Sequence, residues 1–286
     1  MAQPPVRTPE WFDRLALVGL RARGFKSRWL EGPAGRVHLL EATGAGDLPP
    51  ILLLHGLGSC ASDYGPLMLR LLPQHRRVLA LDLPGHGLSA QPPTELGPRA
   101  LAEHLFVCLD ALPPEPMRVF GNSLGGLVAL LLARARPDRV RALMLASPAG
   151  APMEADELAR FLDGFVFTTH ERALAFVRRF RVDPGPTRHI LAWGLRRRFA
   201  QGPIHDLLRR VRSEDMLRPD ELAEIQAPVL LFWGREDRVL PPEQAAFFRA
   251  HLRSVQVEEA SGYGHAPFLD QPVDFVARLE AFARAA

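Results

Sequence analysis

Lysine is all but missing from this chain: Lys26 is the only one in 286 residues, so the basic side chains are almost entirely arginine. That reads as a bias toward arginine codons and not as a functional choice. The arginines are spread among acidic neighbours and the net charge is only +3 despite a pI near 9.4, which argues against a dedicated nucleic-acid surface. Cysteine is scarce as well. Cys60 and Cys108 are the only two, without CxxC spacing or the Cys/His spacing of a structural zinc site. Their scarcity excludes a disulfide framework and makes a reducing compartment the simplest expectation. Long apolar runs are the third absence, since no stretch approaches the roughly twenty uncharged residues of a membrane span. The apolar run Leu15 to Leu20 is short, preceded by Arg7, Glu10, Asp13 and Arg14, closed by Arg21 and Arg23, and followed by no small-residue cleavage site. It is neither a signal peptide nor a span, and a soluble, cytoplasmic protein without integral membrane contact is expected.

What is present is enough to build a sizeable core: 47% of the residues are hydrophobic and 8% aromatic. Apolar runs recur at Val37 to Glu41, Ile51 to Leu54, Val78 to Asp82, Met117 to Phe120, Ala142 to Ala146, Val229 to Trp233 and Val255 to Glu259, with helix-like segments between them. This alternation predicts a mostly parallel sheet with crossover helices. Ile51 to Leu54 shows no polar alternation, as a strand covered on both faces should. The strand signals vanish after Pro148, where helical patterns rich in Arg and Phe follow: Glu157 to Phe167, Glu171 to Phe180 and Ile190 to Phe199. They resume at Ala227-Pro228. We therefore expect one core domain, residues 1–147 and 219–286, interrupted by a helical insertion at 148–218. The proline-rich stretch Leu112 to Pro116 must be a loop, because proline supplies no ladder donor.

Three segments carry candidate chemistry. Gly121-Asn122-Ser123-Leu124-Gly125-Gly126 lies between the strand signal Met117 to Phe120 and the helix former Leu127 to Arg134, which puts Ser123 on a strand-to-helix turn. Such a turn exposes the hydroxyl, its glycines let backbones pass closely, and the helix N-terminus favours developing negative charge. The same glycines could equally serve only a tight turn with Ser123 as an N-cap. The second segment, Val229 to Gly234 followed by Arg235-Glu236-Asp237, delivers two carboxylates to the loop beyond a strand, either of which could be a solvated charge or a cap. In the third, His265 follows the strand signal Val255 to Glu259 within Gly264-His265-Ala266. All three strand ends lie on one edge of a parallel sheet. His55-Gly56-Leu57-Gly58 follows the buried strand Ile51 to Leu54, where small residues leave amides free to point into a site; His55 and His86 are read as structural.

These residues resemble the α/β-hydrolase superfamily over nearly the whole chain. The resemblance rests on His55 to Gly58, Asp82 to Ser89, Gly121 to Gly126, Trp233 to Asp237 and Gly264-His265, in that order. It implies the α/β-hydrolase fold, an eight-stranded, mostly parallel sheet with flanking helices and a helical cap, and no metal or organic cofactor. It implies Ser123 as nucleophile, His265 as general base, and Asp237, chosen over Glu236 by family position, as the orienting acid. The oxyanion donors are expected to be the backbone N–H groups of Leu57 and Leu124. Relatives that are haloalkane dehalogenases or epoxide hydrolases place Asp where this chain has Ser123, which disfavours those chemistries. The expectation is a carboxylesterase or lipase-like serine hydrolase acting through an acyl-enzyme on a small-molecule ester, with an apolar acyl chain. Two alternatives remain open: a C–C bond hydrolase of ring-fission products, for which a cap arginine such as Arg178, Arg196 or Arg209 could hold the substrate carboxylate, and a non-catalytic receptor or scaffold on the same fold. Phe161, Phe165, Phe167, Phe176, Phe180 and Trp193 could line an acyl pocket or form the core of the cap.

Overall fold

The computed structural model of the protein describes residues 11–92 and 96–286, so Arg7 and Glu10 lie outside the described residues. Eight strands form one sheet: β1 (Lys26–Leu30), β2 (Val37–Thr43), β3 (Ile51–Leu54), β4 (Arg77–Leu81), β5 (Met117–Ser123), β6 (Val140–Pro148), β7 (Val229–Gly234) and β8 (Val255–Ala260). Their spatial order is β1-β2-β4-β3-β5-β6-β7-β8. β2 pairs antiparallel with both β1 and β4, and every later pairing is parallel. This is the α/β-hydrolase fold expected from the sequence.

The sheet has a core on each face, and the period-two geometry of a strand sorts residues between them. Leu52, Leu54, Leu79, Leu81, Val119, Leu143 and Leu231 face one core, whereas Ile51, Leu53, Val78, Ala80, Phe120, Met144 and Leu230 face the other. That explains why Ile51 to Leu54 reads as an unbroken apolar run: all four residues are buried. β1 is the one strand without an apolar run in the sequence. It is an edge strand that pairs only with β2, and three of its five residues, Lys26, Arg28 and Trp29, are exposed. Charged residues on such an edge discourage pairing with another chain.

The sheet topology places the ends of β3, β5, β7 and β8 on one edge. Two buried groups fasten the loops there. The Asp82 carboxylate accepts hydrogen bonds from the Ala61 and Leu88 amides at 2.6 and 2.8 Å and meets His38 Nδ1 at 2.8 Å. Burial pushes this carboxyl up, but the hydrogen bond and charge of His38 outweigh it and hold it below the ordinary value. His55, read as structural, contacts the Gly56 carbonyl through Nδ1 at 2.8 Å and accepts the Leu83 amide at Nε2, tying the loop after β3 to the one after β4. Burial lowers its pKa, which keeps the ring neutral for this pairing.

Between β6 and β7 the chain forms helices Ala155–Asp163, His170–Phe180, Arg188–Phe199 and Gly202–Arg210. Phe165, Phe176, Phe199, Ile204 and Leu208 pack together with Val239 from the loop after β7. The segment is anchored to the sheet edge by Arg198, whose buried guanidinium bonds Asp13 at 2.6 Å, both carboxylate oxygens of Asp63 and the carbonyl of Gly58. Both cysteines are free and buried. Among the described residues no helix is long and apolar enough to cross a membrane.

Candidate active site

Ser123 ends β5 and immediately precedes helix Leu124–Ala135, with φ 55° and ψ −121°. Side chains rarely adopt this conformation, and it costs about 1–3 kcal/mol. The surrounding glycines show why the turn tolerates no bulk. A Cβ on Gly125 would enter the Leu54 carbonyl, and one on Gly121 would enter the backbone of Gly125 and Gly126. Gly125→Ala is therefore expected to destabilise the protein by about 3 kcal/mol or more, because backbone and not a flexible side chain must give way. The urea midpoint measures this directly.

Asp237 lies in the loop after β7 and His265 in the loop after β8. His265 Nδ1 and Asp237 Oδ2 are 2.8 Å apart, and both side chains are almost fully buried. The other oxygen of Asp237 accepts the amides of Val239 and Leu240 at 2.8 and 3.1 Å. Burial pushes the carboxyl up, but the charge and hydrogen bond of His265 together with the amide donors hold it below its ordinary value. Glu236 does something else: its Oε2 accepts the amides of Gly262 and Tyr263, so it shapes the loop that carries His265.

The segments of Ser123 and His265 are joined by Asn122, which the sequence did not single out. Its Nδ2 donates to the carbonyls of Ala146 and His265, both at 2.9 Å. Phe180 has a role beyond its ring, for its carbonyl accepts the His265 amide at 3.0 Å and its ring lies 5.7 Å from the imidazole. The loop after β3 packs on the other side, where the position of a Cβ on Gly56 would be 3.3 Å from the Ser123 Cβ.

Ser123, Leu57 and Leu124 border one narrow cavity of about 60 Å³. Phe161, Phe165, Leu158, Leu162, Leu207 and Leu208 from the helical segment close over it. Among the described residues that line it, Ser123 is the only one with a polar side chain. Phe161 and Phe165 thus belong to the wall, whereas Phe167 and Phe176 pack within the helical segment and Trp193 is half exposed. No arginine is among the described lining residues, and Arg198 is engaged by Asp13 and Asp63.

Residues 51–279 match the sequence profile of the alpha/beta hydrolase family. The chain belongs to that family. Among curated relatives of this hydrolase is the pimeloyl-[acyl-carrier protein] methyl ester esterase of Nitrosospira multiformis, 31% identical over 268 residues that span 87% of this chain and 100% of that protein. Among solved structures, this hydrolase is similar to a membrane phospholipase A described as a bacterial virulence factor, with 26% identity and TM-score 0.81 over 96% of this chain and 94% of that one. The naproxen esterase of Bacillus subtilis shares the fold at 20% identity and TM-score 0.78, over 98% and 99% of the two chains.

Proposed function

We propose that this hydrolase cleaves carboxylic esters of apolar acyl chains through an acyl-enzyme on Ser123. The observation that carries the reading is an apolar cavity in which, among the described lining residues, the Ser123 hydroxyl is the only polar side chain, taken together with a buried His265–Asp237 pair. A relative at 31% identity is a methyl ester esterase and a structural neighbour at 26% is a phospholipase, which supports ester chemistry.

In the proposed reaction, Ser123 Oγ attacks the ester carbonyl carbon and its proton passes to His265 Nε2. Asp237 fixes the imidazole with Nδ1–H toward Oδ2 and stabilises the imidazolium. The carbonyl oxygen becomes an oxyanion, which the N–H groups of Leu57 and Leu124 receive; losing such a donor costs on the order of 3 kcal/mol in the transition state. His265 returns the proton to the leaving alkoxide and the alcohol departs. Water, deprotonated by His265, then attacks the acyl carbon, the bond to Ser123 Oγ breaks as His265 returns the proton to Oγ, and the acid departs. Residues 148–218 act as a cap on the core formed by 1–147 and 219–286, with Phe161 and Phe165 contributing its apolar wall. No nucleic-acid partner or cofactor enters this scheme, and two buried free thiols suit the cytoplasm.

Burial of an acyl chain at about 0.8 kcal/mol per methylene predicts a rise in kcat/KM of about fourfold per added carbon until the cavity is full. Hydrolysis of p-nitrophenyl esters from acetate to palmitate tests this. A flat profile from acetate onward would remove the acyl-pocket assignment. A dienoate substrate of a C–C hydrolase would bring its carboxylate into a wall whose described residues offer no basic side chain. An ester carrying a terminal carboxylate is accordingly expected to react more slowly than its neutral counterpart of equal length.

A further inference from the structure

Helix Trp11–Arg21 buries Asp13, Leu17 and Leu20 against the core, yet its opposite side is apolar as well. Trp11, Leu15 and Val18 are 59%, 63% and 62% exposed. Their i, i+4, i+7 spacing sets them in one stripe. The stripe continues onto the helical segment over the active site. Phe12 packs edge-on against Trp193 at 5.9 Å, Trp193 is 37% exposed, and Ile190, one turn earlier, is 67% exposed. Asp13 and Arg198 bond at 2.6 Å and the Arg198 guanidinium lies 5.2 Å from the Phe12 ring, so the two helices are fastened side by side.

Within the described residues of the two helices that carry the face, the exposed charges are of one sign. In residues 11–30 and 188–199 the only acidic side chain is Asp13, which is buried on Arg198. Arg21, Arg23, Lys26 and Arg188 are all exposed, and the Arg197 guanidinium lies 5.1 Å from the Trp193 ring. Scattered exposed apolar residues need no explanation, but a contiguous patch with a polar rim marks an interaction surface. A tryptophan and aliphatic stripe rimmed by basic residues is the chemistry of a helix lying in a lipid interface, with rings at headgroup depth and arginines on anionic phosphates.

We propose that helix Trp11–Arg21 and the Ile190–Trp193 face together form a docking surface for anionic lipid bilayers, holding the protein peripherally on the membrane. A second copy of the chain is the poorer occupant, because pairing this face with itself would oppose two basic rims. The proposal does not depend on the chemistry at Ser123.

Flotation of the full chain with phosphatidylglycerol-containing vesicles, against vesicles of phosphatidylcholine alone, tests it. The wild-type protein should float with the anionic vesicles, bind the neutral ones weakly, and release as salt rises. The triple variant Leu15→Ser, Val18→Ser, Ile190→Ser should lose about tenfold in vesicle affinity at a nearly unchanged melting temperature, since these three side chains are mostly solvent-facing. Binding by the triple variant equal to wild type would overturn the assignment of this face. So would wild-type protein that stays with the soluble fraction, whether as a monomer or as a concentration-dependent dimer.

Discussion

Ser123→Ala is expected to lower turnover of p-nitrophenyl butyrate by at least about 10⁴-fold. The expected loss is large because no other polar side chain among the described residues of the cavity wall can supply a nucleophile. The turn itself should survive, since alanine demands the same strained backbone that serine occupies at φ 55° and ψ −121°. Ser123→Gly separates chemistry from strain. Glycine takes that conformation without a Cβ clash, so this variant should be equally inactive yet more stable than wild type by about 1 kcal/mol or more. Circular dichroism melts beside the ester assay read both effects. An inactive variant that also fails to fold would leave its loss of activity unattributable to the hydroxyl, which is why the glycine variant accompanies the alanine one.

Asp237→Asn should cost about 10⁴-fold in kcat, and the local hydrogen bonds say why. One carboxylate oxygen is held by the amides of Val239 and Leu240, so the oxygen of an asparagine would occupy that position. Its NH₂ would then face His265 Nδ1, making that nitrogen an acceptor and placing the ring proton on Nε2. A ring in that tautomer cannot take the Ser123 proton. Glu236→Gln is the matched control: its amide oxygen can still accept from Gly262 and Tyr263, so activity should stay near wild type. The pairing also has a pH signature. The Asp237 carboxyl sits below its ordinary value in the folded protein, so its stabilising contribution is complete above the unfolded carboxylate pKa and is lost as pH falls through the lowered folded value. The Asn variant should lack that part of the acid-side stability loss, as measured by urea midpoints across the acidic range.

How much of this was legible beforehand follows from what each feature depends on. The central strands were readable because burial on two faces leaves no polar alternation, as Ile51 to Leu54 shows. β1 was not, because an edge strand half open to water carries Lys26 and Arg28 where a core strand would carry leucine. The turn at Ser123 was readable because its glycine pattern is local, with Gly121 forced by the backbone of Gly125 and Gly126, although Gly125 is itself forced by the distant Leu54 carbonyl. Asn122 was not singled out because the carbonyls it serves lie 24 and 143 residues away in the chain. The two carboxylates at 236 and 237 could not be told apart by spacing, and only the direction of each side chain distinguishes the one on His265 from the one on the Gly262 amide. Helical periodicity likewise located the aromatic residues of the cap segment without separating the wall-forming Phe161 and Phe165 from Phe167 and Phe176, which pack on each other at 5.1 Å.

The central claim is that Ser123 is the group that becomes acylated. Treatment of the wild-type protein with a fluorophosphonate, followed by peptide mass spectrometry, tests it most directly. The account predicts one adduct, on the peptide containing Ser123, that disappears in Ser123→Ala and slows greatly in Asp237→Asn. An unlabelled wild-type protein, or an adduct carried on any other side chain, would contradict it.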